Sequence, residues 1–232
     1  MRVLVIENFA ATPPGLVGVA LAEAGARIDL RRAFLGEPVP VDHRDHDALV
    51  ILGGAQNALD DEGSPWLPTT AALSRAFGEA DKAVLGICLG AQLVARGHGG
   101  ENILGRPVEF GWQEVRPTDH GAKDPLISRL DGGSPLFHWH EDTFTLPPGA
   151  RHLALSDMTA NQAFRIGRAV YGIQFHFEAD SGLVEDWTRD LHDQIVPHRP
   201  AWREEHPLEA ARHASRADAA GMAIARAWVS LI

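Results

Sequence analysis

The sequence contains a single cysteine among its 232 residues, at position 88. One cysteine cannot form an intrachain disulfide bond, so a secreted scaffold held together by disulfides is excluded. Any reaction of this chain that needs a thiol must use this residue.

Basic residues are also scarce, since 21 Lys and Arg against 31 Asp and Glu give a formal net charge of −10. A chain with this surplus of negative charge is repelled by phosphate backbones and by anionic lipid headgroups. We therefore expect neither nucleic acid nor a membrane surface as a partner.

Long apolar runs are missing as well. The longest largely apolar stretch, residues 83–95, contains Gln92 and is too short to cross a bilayer. Glu7 interrupts the apolar start of the chain and no cleavage site follows it, so the N-terminus lacks the pattern of a signal peptide. These features predict a soluble, cytoplasmic protein.

The first hundred residues alternate short apolar runs with helical patterns. Strands are predicted at residues 2–6, 27–30, 48–52 and 83–87, and helices at 15–24, 66–80 and 89–96. Strands that alternate with helices predict a parallel sheet covered on both faces, which is a doubly wound α/β fold.

Beyond residue 100 the segments are short, alternating and separated by Gly, Pro and Asp. They predict antiparallel strands added to the sheet, at residues 108–118, 150–156, 161–167 and 169–177. A helix is predicted at 182–195, then a polar, proline-bracketed linker at 198–207 and an Ala-rich helix at 208–230. We predict one domain over residues 1–197, with residues 198–232 forming a linker and a C-terminal helical extension packed on that domain.

The cysteine lies in the pattern Gly86-Ile87-Cys88-Leu89-Gly90, where a predicted strand meets a predicted helix. A lone cysteine is otherwise most often a buried structural residue. Flanking glycines at a strand-to-helix turn are typical of a nucleophile elbow, because larger side chains there would strike the neighbouring elements. The N-terminus of a helix favours a thiolate and offers free N–H groups to a developing oxyanion. We interpret Cys88 as a catalytic nucleophile.

A cysteine nucleophile needs a base, and the base needs a group that orients it. His176 and Glu178 are two residues apart in a predicted strand, so both side chains are predicted to lie on the same face. Glu178 could then accept a hydrogen bond from His176 and fix its tautomer. Such a pair alone usually belongs to a solvated strand face, but the cysteine elbow makes it informative.

Taken together, these motifs are similar to those of a known family. GICLGAQLVA (86–95) and YGIQFHFE (171–178) resemble the class I glutamine amidotransferases, the Cys-His-Glu triad type. Gly53-Gly54 resembles the Gly-Gly loop of that family, and FHWHEDTFTLPPGA (137–150) resembles its free-standing, GMP-synthase-like subgroup. The resemblance covers about residues 1–185 and implies a flavodoxin-like α/β sandwich.

The resemblance implies a role for each matching residue. Cys88 would be the nucleophile, His176 the general base and acid, and Glu178 the residue that orients His176. The backbone N–H groups of Gly54 and Leu89 would form the oxyanion hole.

The substrate would be held by Gly53, Gln92 and His140. Ala91 departs from the family pattern, which often has His or Met there, and Ala55-Gln56 follow Gly54 where Pro is frequent. These departures lie outside the triad but leave the substrate open.

The implied reaction is hydrolysis of the glutamine side-chain amide through a γ-glutamyl thioester, with no cofactor and no metal. His138, His140, His176 and Asp142 do not have a recognised zinc spacing. The chain has no phosphate-binding glycine motif and no room for a synthetase domain, so a partner synthetase subunit would use the ammonia. The alternatives are a stand-alone γ-glutamyl peptidase or hydrolase with the same triad, and a non-catalytic regulatory or binding protein.

Overall fold

The structure, a computed structural model, describes residues 1–232. Its strands are β1 (Arg2–Glu7), β2 (Arg27–Arg32), β3 (Ala48–Ile51), β4 (Ala83–Ile87), β5 (Asn102–Ile103), β6 (Glu109–Pro117), β7 (Ser134–His140), β8 (Thr143–Phe144), β9 (Arg151–Leu155), β10 (Ala163–Ile166) and β11 (Val170–Ile173). Its helices are α1 (Gly15–Glu23), α2 (Leu67–Glu79), α3 (Leu89–Gly97), α4 (Ser181–Asp190), α5 (His192–Ile195) and α6 (Trp202–Val229). None of the helices has the length and apolar character that a bilayer-spanning helix needs.

Nine strands form one sheet in the order β2-β1-β3-β4-β11-β10-β9-β6-β7. The strands from β2 to β11 in this order are parallel. The pairs from β11 to β7 are antiparallel, and β5 and β8 form a separate antiparallel pair. The predicted α/β fold, with a parallel centre and antiparallel additions, is confirmed.

The inner parallel strands are apolar along their whole length because both of their faces are covered. In β1, Val3 and Val5 pack in one apolar cluster with α1 and α6, whereas Leu4 and Ile6 pack in a second cluster with α2 and α3. The edge strand β2, with the sequence RIDLRR, is partly exposed and charged, which protects the open edge from pairing with another chain.

The antiparallel half of the sheet curls back toward the end of β11. Phe137 in β7 forms an isolated antiparallel bridge with His176, and the His176 N–H donates to the Phe137 carbonyl at 2.8 Å. Strand β7, at the edge of the sheet, therefore fixes the backbone of the segment that follows β11.

This curl corrects one prediction from the sequence. The strand predicted at 169–177 ends at Ile173, so His176 and Glu178 do not lie on a regular strand. The Gln174 N–H still donates to Gln162 beside β10, but the His176 N–H donates to β7 instead. The segment leaves the strand because it changes hydrogen-bonding partners.

Two predictions near the C-terminus are also corrected. The helix predicted at 182–195 is divided into α4 and α5 at Leu191. The linker predicted at 198–207 is wrong for its second half, because α6 begins at Trp202 and continues through Pro207. Trp202 is buried against Phe110 at 5.0 Å between ring centroids. This burial stabilises the first turn of α6, which the prolines that bracket the segment do not favour.

Candidate active site

Cys88 occupies the one-residue turn between β4 and α3. Its φ of +53° is rare for a residue with a side chain. A Cβ atom on Gly86 would lie 2.3 Å from the Gly90 carbonyl oxygen, and one on Gly90 would lie 2.0 Å from the Ile51 carbonyl oxygen. The glycines are therefore required sterically, and the predicted strand-turn-helix position of Cys88 is observed.

His176 and Glu178 lie next to each other although they are not on a strand. His176 Nδ1 donates to Glu178 Oε1 at 2.7 Å, and both side chains are buried. This bond leaves Nε2 of the imidazole available to the Cys88 sulfur. Gly53 packs behind the pair, since a Cβ atom on it would lie 3.2 Å from His176 Cε1 and 3.6 Å from Cys88 Cβ.

The electrostatics of His176 favour its protonated form. Burial by itself lowers the pKa of the imidazole, but the Glu178 carboxylate and the Cys88 sulfur outweigh burial and raise the pKa well above its ordinary value. Trp187 covers the imidazole in a T-shaped contact, with 5.3 Å between ring centroids. The site can thus hold a proton on a side chain that is almost fully buried.

Gly54 and Leu89, whose backbone N–H groups are predicted to form the oxyanion hole, line the same cleft as Cys88. Leu89 is the first residue of α3, so its N–H has no acceptor within the helix. Gly54 follows β3 and packs tightly, with a hypothetical Cβ atom 2.8 Å from Leu89 Cδ2. Thr12 Oγ1 donates to the Gly53 carbonyl at 3.0 Å and holds the Gly-Gly loop in place.

An open cleft of about 480 Å³ lies in front of Cys88, within the usual range of about 300–1,000 Å³ for small-molecule sites. Its lining includes Cys88, His176, Gly54, Leu89, Gln92 and His140, whereas Gly53 lies behind the reacting pair and does not line it. Glu178 is buried behind His176. The structure therefore brings all the residues predicted from the sequence to one edge of the sheet.

Gln174 is a site residue to which the sequence analysis gave no role. Its Nε2 lies 3.7 Å from Cys88 Sγ and donates toward it, while its Oε1 accepts from Gln92 Nε2 at 3.3 Å. Gln92 also donates to the Asp142 carbonyl at 3.4 Å. The signal for Gln174 was its place in the motif YGIQFHFE, two residues before the base.

Asp142 also went unrecognised as a pocket residue. It lines the cleft, and its Oδ1 accepts from the Gly105 N–H at 2.7 Å. Burial raises the pKa of this carboxyl group. An acidic group in the wall of a cleft can bind a ligand ammonium group, such as the one on the α-carbon of an amino acid.

A buried carboxylate, Glu109, lies behind His140. His140 Nε2 lies 3.1 Å from Glu109 Oε2, and Ser156 donates to Oε1 at 2.6 Å. Thr159 and Gln162 also donate to Oε2. These contacts, with help from the nearby His138 ring, outweigh burial and lower the pKa of Glu109 to about 2.

Glu109, His138 and His140 are close enough for their ligand-type atoms to lie within 4.8 Å of one another. The oxygens of Glu109 already accept four hydrogen bonds, and burial lowers the pKa of His138 to about 3, helped by the neighbouring His140. We therefore assign this cluster to the positioning of His140. Of the four residues considered from the sequence as metal ligands, His138 and His140 belong to this cluster, whereas His176 bonds to Glu178 and Asp142 accepts from the Gly105 N–H.

Comparison with known proteins agrees with this geometry. The family model of class-I glutamine amidotransferases matches residues 19–188. The chain belongs to this family. It is 33% identical over 180 residues to the glutamine amidotransferase-like protein YfeJ of Salmonella typhimurium, a match that covers 74% of each chain.

Two further relatives of this amidotransferase family member carry different names. A glutamine-hydrolyzing GMP synthase subunit of Haloarcula marismortui is 30% identical over 68% of this chain and 76% of its own length. Gamma-glutamyl peptidase 5 of Arabidopsis thaliana is 29% identical over 70% of this chain and 66% of its own length. A crystal structure of a glutamine amidotransferase from Methylobacillus flagellatus superposes with a TM-score of 0.82, at 27% identity, over 100% of this chain and 95% of that one.

Proposed function

We propose that this amidotransferase family member hydrolyses the side-chain amide of glutamine through a γ-glutamyl thioester on Cys88. The observation that carries the proposal is the elbow cysteine facing a buried His176–Glu178 pair at the edge of an open cleft. Nucleophile, base and orienting group in this arrangement are what acyl transfer by a cysteine requires.

In the first half of the reaction, the Cys88 sulfur attacks the carboxamide carbon. The oxyanion forms beside the N–H groups of Gly54 and Leu89, where fixed dipoles stabilise it. His176 gives its proton to the nitrogen, the C–N bond breaks and ammonia leaves. The glutamyl group is then held on the sulfur as a thioester.

In the second half, His176 takes a proton from a water molecule that attacks the thioester carbon. The C–S bond breaks, glutamate leaves, and the thiolate and the imidazolium are restored. Glu178 stabilises the protonated imidazole in both halves. No step needs a cofactor or a metal.

Free ammonia would be used by a synthetase on a separate chain. This part of the proposal is supported by the Haloarcula relative, which is named as one subunit of a GMP synthase. We expect the acceptor of ammonia to bind that partner.

The test is the release of glutamate from glutamine by the purified protein. Cys88→Ala should abolish release while the protein remains folded, and a glutamine-like electrophile should label the wild type alone. Since Cys88 is the only cysteine, any labelled thiol reports on this residue. His176→Asn should also abolish release, and His98→Asn, at the far end of α3, is the matched control. Release that survives Cys88→Ala would contradict the thioester.

A second candidate is a stand-alone γ-glutamyl peptidase or hydrolase, which uses the same chemistry on a larger amide. Its support is the size of the cleft and the relative named gamma-glutamyl peptidase 5. A panel of γ-glutamyl amides in the same assay decides between the two. Failure of every substrate and of the electrophile would favour the non-catalytic alternative.

A further inference from the structure

We propose that the cleft contains a subsite for the leaving amine, and that this subsite selects γ-glutamyl amides of uncharged, apolar amines. The inference rests on the thioester chemistry proposed above and develops its second candidate, the hydrolysis of a larger γ-glutamyl amide, by naming the class of leaving amine. The subsite is formed by an aromatic wall that consists of Trp139, Trp187, Leu191 and His198, with Gln194 at its rim.

The position of the leaving nitrogen follows from the chemistry. His176 must give its proton to this nitrogen, so the nitrogen lies next to the imidazole when the C–N bond breaks. The Trp187 ring is packed against the same imidazole, 5.3 Å away between centroids. A substituent on the nitrogen therefore meets Trp187 first.

The aromatic wall continues outward from that contact. Trp139 meets Trp187 in a T-shaped pair at 5.9 Å, and His198 meets Trp139 at 6.4 Å. Leu191 ends the helix that carries Trp187 and also lines the cleft. The surface is continuous and largely apolar, so it gains free energy by covering an apolar substituent.

The polar residues of the cleft lie on another side. Trp139 and His140 are neighbours on β7 and point to opposite faces of the strand. His140 points to Glu109 and the Asp142 carbonyl, and Gln92 contacts the same carbonyl. Amide, carboxylate and backbone groups on that side suit the amino-acid part of the substrate, and the aromatic wall is left for the amine.

Part of the aromatic wall comes from outside the region shared by the family. The family model matches residues 19–188, whereas Leu191, Gln194 and His198 follow that region. This segment covers the leaving-group side of the cleft with residues of the chain itself. Trp139 and Trp187, the other two residues of the wall, lie within the matched region.

Charge decides which amines fit. No Lys or Arg lines the cleft, and His198 Nε2 is already 3.3 Å from Glu141 Oε1. A carboxylate on the leaving amine would be left without a cation and would lie near the acidic side chain of Glu141, which disfavours amino acids as leaving groups.

A larger amine leaves by the same two steps as ammonia. The thiolate forms the C–S bond as the amide C–N bond breaks, and the His176 proton leaves on the amine. Water then cleaves the thioester and restores the proton to His176. The products are glutamate and the free amine.

The test compares kcat/KM for three secondary amides: γ-glutamylmethylamide, γ-glutamylphenethylamide and γ-glutamylphenylalanine. The last two differ only by a carboxylate. We expect kcat/KM for the phenethylamide to be about tenfold or more above that for the methylamide, since apolar groups in a fitted pocket give about 10–200-fold discrimination. We also expect kcat/KM for the phenethylamide to be about tenfold above that for γ-glutamylphenylalanine, because the carboxylate of the latter has no cation to pair with.

Two variants examine the wall directly. Leu191→Ala should lower kcat/KM for the phenethylamide several-fold more than for the methylamide, and Leu208→Ala, on the exposed side of α6, is the matched control. Gln194→Lys places a cation at the exposed rim without disturbing the core. It should raise kcat/KM for γ-glutamylphenylalanine relative to that for the phenethylamide.

Equal kcat/KM for all three amides, with turnover still dependent on Cys88, would overturn the subsite and leave the proposed function intact. The subsite is also overturned if Gln194→Lys and Leu191→Ala both leave the substrate ratios unchanged. Absence of turnover with every amide and with glutamine would instead contradict the proposed function, and the subsite with it.

Discussion

The hydrogen bond between Glu178 and His176 gives the sharpest quantitative prediction. Glu178→Gln keeps the size of the side chain and removes its charge. The carboxylate is buried and lies 2.7 Å from His176 Nδ1, a geometry in which a charge-assisted hydrogen bond contributes about 1.5–3 kcal/mol. A change of one unit in a pKa, and so of one pH unit in the limb that reports it, corresponds to about 1.4 kcal/mol. The pKa of His176 should therefore fall in the variant.

The sign follows from the direction of the shift. In the wild type the pKa of His176 is raised, so the imidazole stays protonated to higher pH. Because His176 must protonate the leaving nitrogen, activity is lost as the pH rises through this pKa. Glu178→Gln should move the alkaline limb of the kcat/KM profile down by about 1–2 pH units.

The assay is glutamate release as a function of pH, with thermal melting to show that the variant is folded. Glu79→Gln, at an exposed position on α2, is the matched control and should leave the profile in place. An alkaline limb that does not move in Glu178→Gln, with the variant folded, would refute the assignment of Glu178 as the group that holds the proton on His176.

Two further substitutions address residues behind the triad. Gln174→Leu removes the donor to Cys88 Sγ and should slow alkylation of this only thiol by about tenfold at neutral pH; an unchanged alkylation rate would contradict the role of Gln174. Glu109→Gln should lower the free energy of unfolding by about 3 kcal/mol at neutral pH, because the pKa of Glu109 is lowered to about 2 in the folded protein. The wild type should lose this stabilisation as the pH falls from about 4.5 to about 2, and denaturant melts of Glu109→Gln should lack that part of the acid dependence.

The local patterns of the first hundred residues were enough to predict the parallel core. The inner strands are apolar along their length, and their helices begin and end near the predicted residues. Cys88 could be recognised because both glycines of the elbow pattern lie within two residues of it, although the atom that excludes a side chain at Gly90 belongs to the distant Ile51. Glu178 and His176 could be paired because only one residue separates them.

Other features depend on contacts between distant segments. The sequence predicted that His176 lies on a strand, whereas its backbone is held by Phe137, 39 positions earlier in the chain. The start of α6 is set by burial of Trp202 against Phe110, and no local pattern around residue 202 records that contact.

The sequence by itself therefore predicted the fold class, the cysteine elbow and the adjacent His176–Glu178 pair, because each depends on residues close together in the chain. The tertiary structure decided how the antiparallel strands curl back, which places Gln174 against the sulfur and Glu109 behind His140. It also decided that the segment after α4 covers one side of the cleft. These arrangements arise from packing and hydrogen bonds between segments far apart in sequence, and only the folded chain brings them together.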